Sequence, residues 1–168
     1  NMLRATILET TALPRHTEDK CTALECNLDD TIPEIIGAMT GRLFDNGALD
    51  VFTTPAQMKK QRPGTLLTAL CRPEDRDRLI DVIFTESTTF GIREHTVNRT
   101  LLERRFSEVK TEYGPVRIKI GSWKGVDITR TPEHDDCVKL AAEHDVPVRT
   151  VYRVAMNAAA KAETGAGD

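Results

Sequence analysis

No run of apolar residues in this 168-residue sequence approaches the roughly 20 needed to cross a bilayer, and no apolar stretch follows an N-terminal basic cluster. A membrane-spanning or exported protein is therefore not expected, and the cytoplasm is the expected location. Cysteine is sparse: Cys21, Cys26, Cys71 and Cys137 contain no C-x-x-C pair, so neither a zinc site nor a disulfide framework is signalled and buried thiols are expected. No H-x-x-x-H pair appears, and His16, His95 and His144 stand alone, which leaves no dedicated soft transition-metal site. Positive charge is not in surplus. Lys plus Arg number 23 against 26 Asp plus Glu, for a net charge of −3 and a pI near 5.9, which argues against a protein that coats phosphate backbones yet leaves room for one local basic site. Internal repeats and low-complexity tracts are also absent. What is present is 39% apolar residues and ten glycines, enough to bury a core without staples.

Asn1 ahead of Met2 reads as a remnant of expression, and the chain is expected to be one piece of a longer protein. Residues 1–20 are read as a tag remnant with a linker or N-terminal extension, 21–162 as the folded domain, and 163–168 as a tail. Residues 21–28 alternate loosely and suit a first strand ended by Asp29 and Asp30. Thr31, Pro33 and Glu34 form a T-x-P-E helix start in which Thr31 caps. Ile32, Ile35, Met39 and Leu43 then recur at helical spacing until Asn46-Gly47. Strands over 48–54 and 65–71 flank a turn containing Pro63-Gly64, Pro73 opens a second helix, and a fourth strand is expected to begin near Phe90. The order βαββαβ is the split-βαβ or ferredoxin-like plan, an α+β fold with two helices on one face of an antiparallel sheet. Beyond it, Arg99–Thr111 and Pro115–Ile120 suggest an added hairpin and 126–129 a short strand. Two C-terminal helices follow, one from Thr131 to about His144 and one over 148–162. The spacing over Leu140–Arg153 also matches a helix-turn-helix, with Asp145 where a turn glycine is usual. DNA binding is the minor alternative and a helical hairpin packed on the sheet the main one.

In this plan the loop after strand one, the central hairpin and the loop after helix two lie at the same end. Lys59, Lys60 and Arg62 place three cations beside a Pro-Gly turn, a setting for a polyphosphate or simply a solvated basic tip. Thr85, Ser87, Thr88 and Thr89 add hydroxyls, and Arg93 a further cation. Asp29 and Asp30 are hard carboxylates of the kind Mg²⁺ or Mn²⁺ uses beside phosphates, with helix capping as their alternative role. Glu133, Asp135 and Asp136 form a second acidic cluster at a helix start, where the helix dipole alone favours them.

The runs Leu24–Glu34, Gly47–Phe52, Gln57–Gly64, Leu66–Pro73, Thr88–Arg93, Tyr113–Val116 and Pro132–Cys137, in this order over about residues 20–160, resemble the C-terminal domain of the LarC family of nickel insertion proteins. The resemblance implies part of a CTP-dependent nickel chelatase, or cyclometallase, of the lyase class. Such an enzyme inserts Ni²⁺ into a pyridinium bis-thiocarboxylic acid mononucleotide, the precursor of the nickel-pincer cofactor. It also implies that this domain binds CTP with Mn²⁺ or Mg²⁺ and self-associates. By position, Lys59, Lys60 and Arg62 would neutralise the triphosphate, Thr88, Thr89 and Arg93 would hydrogen-bond it, and Asp29 or Asp30 would reach the metal. Glu133, Asp135 and Asp136 would join only if brought to that end. Complete members carry an N-terminal domain as well, so this chain alone is expected to bind nucleotide without completing insertion. Cys26 stands where the family has Thr, and Gln61 where Asn is usual. The runner-up is a ferredoxin-like regulatory or assembly module that binds a small anionic ligand, which would not distinguish CTP from ATP.

Overall fold

The computed structural model describes residues 17–164, and the chain divides into two compact units, one over Glu18–Thr100 and one from Leu101 onward. The expected extension over residues 1–20 lies outside the described residues up to residue 16, and the expected tail from residue 165 on.

The first unit runs β1 (Thr17–Leu28), α1 (Pro33–Asp45), β2 (Ala48–Gln57), β3 (Pro63–Cys71), α2 (Arg76–Glu86) and β4 (Arg93–Leu101). Its sheet has the order β2-β3-β1-β4, with β3 antiparallel to both β1 and β2, which is the ferredoxin-like arrangement. Alternation in β1 sends Leu24, Cys26 and Leu28 to one face, where they meet Leu67, Ala69 and Cys71 of β3. Met39 and Leu43 of α1, four residues apart, and Leu79, Val82 and Ile83 of α2 close this core. Each such side chain taken fully from water contributes about 1.5–3 kcal/mol before entropy is subtracted. Pro33 begins α1 where its missing N–H costs nothing, and Gly47, at φ 101°, supplies the left-handed residue just past its end. Pro55 is tolerated because β2 is an edge strand.

Two local expectations are corrected. Thr31 does not cap α1: the residue at the cap position is Ile32, without a side-chain cap, because the Thr31 hydroxyl is engaged elsewhere. The fourth strand starts at Arg93, not Phe90, and Phe90 stands fully in solvent.

The second unit is a three-stranded antiparallel meander, β5 (Glu103–Thr111), β6 (Gly114–Trp123) and β7 (Val126–Pro132), followed by α3 (His134–Glu143) and α4 (Val148–Thr164). The stretch 99–111, read as one strand, breaks at Leu102, and the added hairpin builds this separate sheet instead of extending the first. Gly114, at φ 127°, makes the tight turn between β5 and β6. Val109, Val116, Ile118 and Ile120 face Cys137, Leu140, Ala141, Val151 and Ala155, so the two helices pack on the sheet as a helical hairpin. Asp145 occupies the left-handed turn position at φ 51°. All four cysteines are buried and unpaired.

Candidate functional site at the loop end of the first unit

The end of β1 and the β2–β3 connection are placed side by side by the strand register, in which Leu28 and Pro55 both pair with Thr65. Gly64 makes this approach possible. A Cβ there would lie 2.5 Å from Met58 Sδ and 2.9 Å from the Leu28 carbonyl oxygen. The connection is closed by the Met58 N–H donating to the Arg62 carbonyl at 2.8 Å, with Lys60 and Gln61 both left-handed at φ 60° and 59°. Two non-glycine residues in that region store local strain, a pattern found at functional loops. The turn sends the Arg62 guanidinium to Asp29, Nη1 to Oδ2 at 3.1 Å. Lys59 and Lys60 remain exposed at the tip and form no ion pair among the described residues.

The loop after α2 supplies the third side. Thr85 and Ser87 donate to carbonyls of their own helix, at Asp81 and Ile83, both at 2.7 Å, and so are spent locally. Thr88 instead crosses to the loop after β1. Its hydroxyl donates to Asp30 Oδ1 and lies 2.8 Å from the Thr31 hydroxyl, which accounts for the missing helix cap. Thr89 donates to the Gly91 carbonyl at 3.0 Å. Burial pushes the Cys26 thiol up to about 11, so in the free protein this residue is a thiol at neutral pH. Arg93, at the start of β4, lies along β1: Nη2 donates to Asn27 Oδ1 at 2.8 Å and Nε is 3.5 Å from Glu25. His95 Nε2 is 3.7 Å from the same Glu25 carboxylate.

Three loops, drawn from residues 29–31, 58–62 and 88–89, thus converge on one end of one sheet, with cations and hydroxyls interleaved with two carboxylates. The donors suit phosphate oxygens, and the carboxylates suit a hard cation. The family model of the nickel insertion protein matches residues 1–152. The chain belongs to the nickel insertion protein family. A pyridinium-3,5-bisthiocarboxylic acid mononucleotide nickel insertion protein from Acetivibrio thermocellus is 49% identical over 135 residues, covering 80% of this chain and 33% of the relative. Another of that name from Lactiplantibacillus plantarum is 41% identical over 160 residues, covering 93% and 38%. The chain therefore spans between a third and two fifths of these relatives. Among solved structures, the apo C-terminal domain of a cyclometallase involved in the synthesis of the NPN cofactor of lactate racemase matches with a TM-score of 0.80 and 42% identity. That match covers 85% of this chain and 99% of that one. A protein from Methanopyrus kandleri matches at a TM-score of 0.56 and 26% identity, covering 86% and 91%.

In this nickel insertion family member the second acidic cluster lies in the other unit and has local partners. Asp136 accepts from Arg117 at Nη2 (2.8 Å), Nε (2.9 Å) and the backbone N–H (3.0 Å), and Arg117 holds its carboxyl below the ordinary carboxylate range. Glu133 is 3.7 Å from Lys119, and Asp135 is exposed. No group of three or more His, Cys, Asp and Glu side chains converges as a metal cage among the described residues. Sequence reasoning missed Glu25 and Asn27, which hold Arg93, and His95, which lies beside the same Glu25, although residues 25 and 27, like 93 and 95, are two apart and share a strand face. It also missed the exposed Phe90 ring at the rim of the hydroxyl loop.

Proposed function

We propose that this chain is the nucleotide-binding C-terminal part of a CTP-dependent nickel chelatase, and that the three-loop cluster holds the CTP triphosphate with Mn²⁺ or Mg²⁺. The observation that carries the reading is the joining of Arg62, Thr88, Asp29 and Asp30, from segments 33 and 58 residues apart, into one cluster of phosphate donors and hard carboxylates. Lys59, Lys60 and Arg62 neutralise the phosphates, Thr88 and Thr89 donate hydroxyl hydrogen bonds to them, and Arg93 waits at the neighbouring strand end. The donor set fits the cation. Mg²⁺-like ions take one or two carboxylates and complete their shell with water and substrate phosphates, so two aspartates without a protein cage are what such an ion uses. When bound, the cation would offset repulsion between the phosphates and the aspartates. The exposed Phe90 ring is a surface on which a base can stack. Nickel and the pyridinium precursor are substrates of the whole protein, and this chain alone supplies nucleotide binding without insertion.

The test is calorimetric titration of the chain with CTP and, separately, ATP, with and without Mn²⁺ and at two salt concentrations. Mn²⁺-dependent binding that prefers CTP, weakens with salt and disappears in Lys60→Ala with Arg62→Ala is the expected result. A folded sample that binds CTP no better than ATP would instead favour a module that recognises an anion without regard to its base.

A further inference from the structure

Two of the groups expected to meet the phosphates across the loop end are already engaged by groups expected to meet the cation. Arg62 is held by Asp29 at 3.1 Å, and Thr88 by Asp30, with Thr31 bonded to Thr88 at 2.8 Å as a brace. The two carboxylates come from adjacent positions in one loop, while their partners come from two different loops, so the aspartates tie the hairpin and the hydroxyl loop to the end of β1. Side-chain exposure is 54% for Arg62 and 19% for Asp29, which makes the pair a surface one that is inexpensive to exchange.

We infer that Asp29 and Asp30 act as built-in anions that occupy the phosphate donors until nucleotide arrives, and that the exchange couples nucleotide binding to cation binding. The inference rests on the nucleotide reading above and adds a linkage to it. When a triphosphate takes Arg62 and Thr88, both carboxylates lose their partners while facing a new negative group. A divalent cation that bridges phosphate oxygens and the released carboxylates removes that repulsion. Without the cation, the phosphates compete with the aspartates for the same donors. Without the phosphates, the cation competes with Arg62 for Asp29. Each ligand therefore completes the site for the other, and linkage requires the two effects to be equal in size.

The coupling is read in paired titrations of the whole chain. In the wild type, Mn²⁺ is expected to raise CTP affinity by a factor within the usual allosteric range of about 5- to 150-fold, and CTP to raise Mn²⁺ affinity, followed by the electron paramagnetic resonance of free Mn²⁺, by the same factor. The deciding variant is Asp29→Asn with Asp30→Asn, which keeps side-chain shape and removes both anions. It is expected to bind CTP more tightly than the wild type in the absence of metal, and to gain little from Mn²⁺. If these aspartates were only metal ligands, the variant would lose the Mn²⁺ effect while its metal-free CTP affinity stayed at or below that of the wild type, and the inference would be overturned. Mn²⁺ binding that is equally tight with and without CTP would overturn it as well. A wild type that binds CTP under neither condition would remove the nucleotide reading itself, an outcome distinct from both. Circular dichroism and the thermal midpoint of the variant establish that it is folded.

Discussion

Substituting Gly64 by alanine tests whether the central hairpin is seated on the end of β1 as described. The added methyl would meet the Met58 sulfur at 2.5 Å and the Leu28 carbonyl oxygen at 2.9 Å. The thioether is the end of a flexible side chain and can swing away. The carbonyl belongs to β1, in register with Thr65, and cannot move without disturbing the strand pair. Overpacking of this kind costs about 1–3 kcal/mol. For a chain of this length each 1 kcal/mol lowers the thermal midpoint by roughly 2–4 °C, so a fall of roughly 2–12 °C is expected, read by circular dichroism. Gly91→Ala is the control, because nothing lies within 4 Å of a Cβ there, and it should stay within about 0.5 kcal/mol of the wild type. Adding Met58→Ala to Gly64→Ala should recover only part of the loss once the cost of Met58→Ala alone is subtracted, since the carbonyl clash remains. If Gly64→Ala melts with the wild type, or if the double substitution recovers all of the loss, the hairpin does not rest against Leu28 and the placement of Arg62 beside Asp29 falls with it.

Two further outcomes follow from other parts of the chain. Arg105, Ser122 and Arg130 all donate to the Asp127 carboxylate at 2.6–2.7 Å, with Arg105 the largest cause, and hold it far below the ordinary carboxylate range. A carboxyl whose folded value is depressed contributes stability that is complete above the unfolded value near 3.9 and is lost as pH falls below it. Fluorescence of Trp123, the single tryptophan, should therefore show the stability gap between wild type and Asp127→Asn narrowing from pH 7 to pH 3, and a constant gap would refute the assignment. Gln61→Asn should raise stability by a few tenths to about 1 kcal/mol in urea denaturation, because Asn adopts the left-handed region more readily than Gln; a loss would contradict the turn geometry at φ 59°.

Much of the first unit was legible because its signals are local. The alternation of Leu24, Cys26 and Leu28, the i, i+4 pair Met39 and Leu43, the Pro33 start and the Asn46-Gly47 stop each follow from a few neighbouring residues. The errors arose where a distant partner overrode the local rule. Thr31 has the sequence context of a cap, but its hydroxyl bonds Thr88, 57 residues away. Phe90 has strand propensity, yet it remains in the loop that brings Thr88 to Asp30. The break at Leu102 has no turn residue to announce it, so one long strand was expected where two sheets part. In the site, residue types and their shared end could be inferred from topology. The pairing of Arg62 with Asp29 and of Arg93 with Asn27 and Glu25 depends on strand register, which no local pattern encodes.

The three-loop construction also has a kinetic meaning. Its cross-links join positions 33, 57 and 58 apart, so none can form until the intervening strands and helices have closed their loops. A nascent chain that has emerged only as far as α2 already carries Asp29, Asp30, Lys59, Lys60 and Arg62, but it lacks Thr88 and the closing strand β4. The cluster therefore cannot be complete before the chain beyond α2 has been made. Half-made chains thus lack part of the cluster.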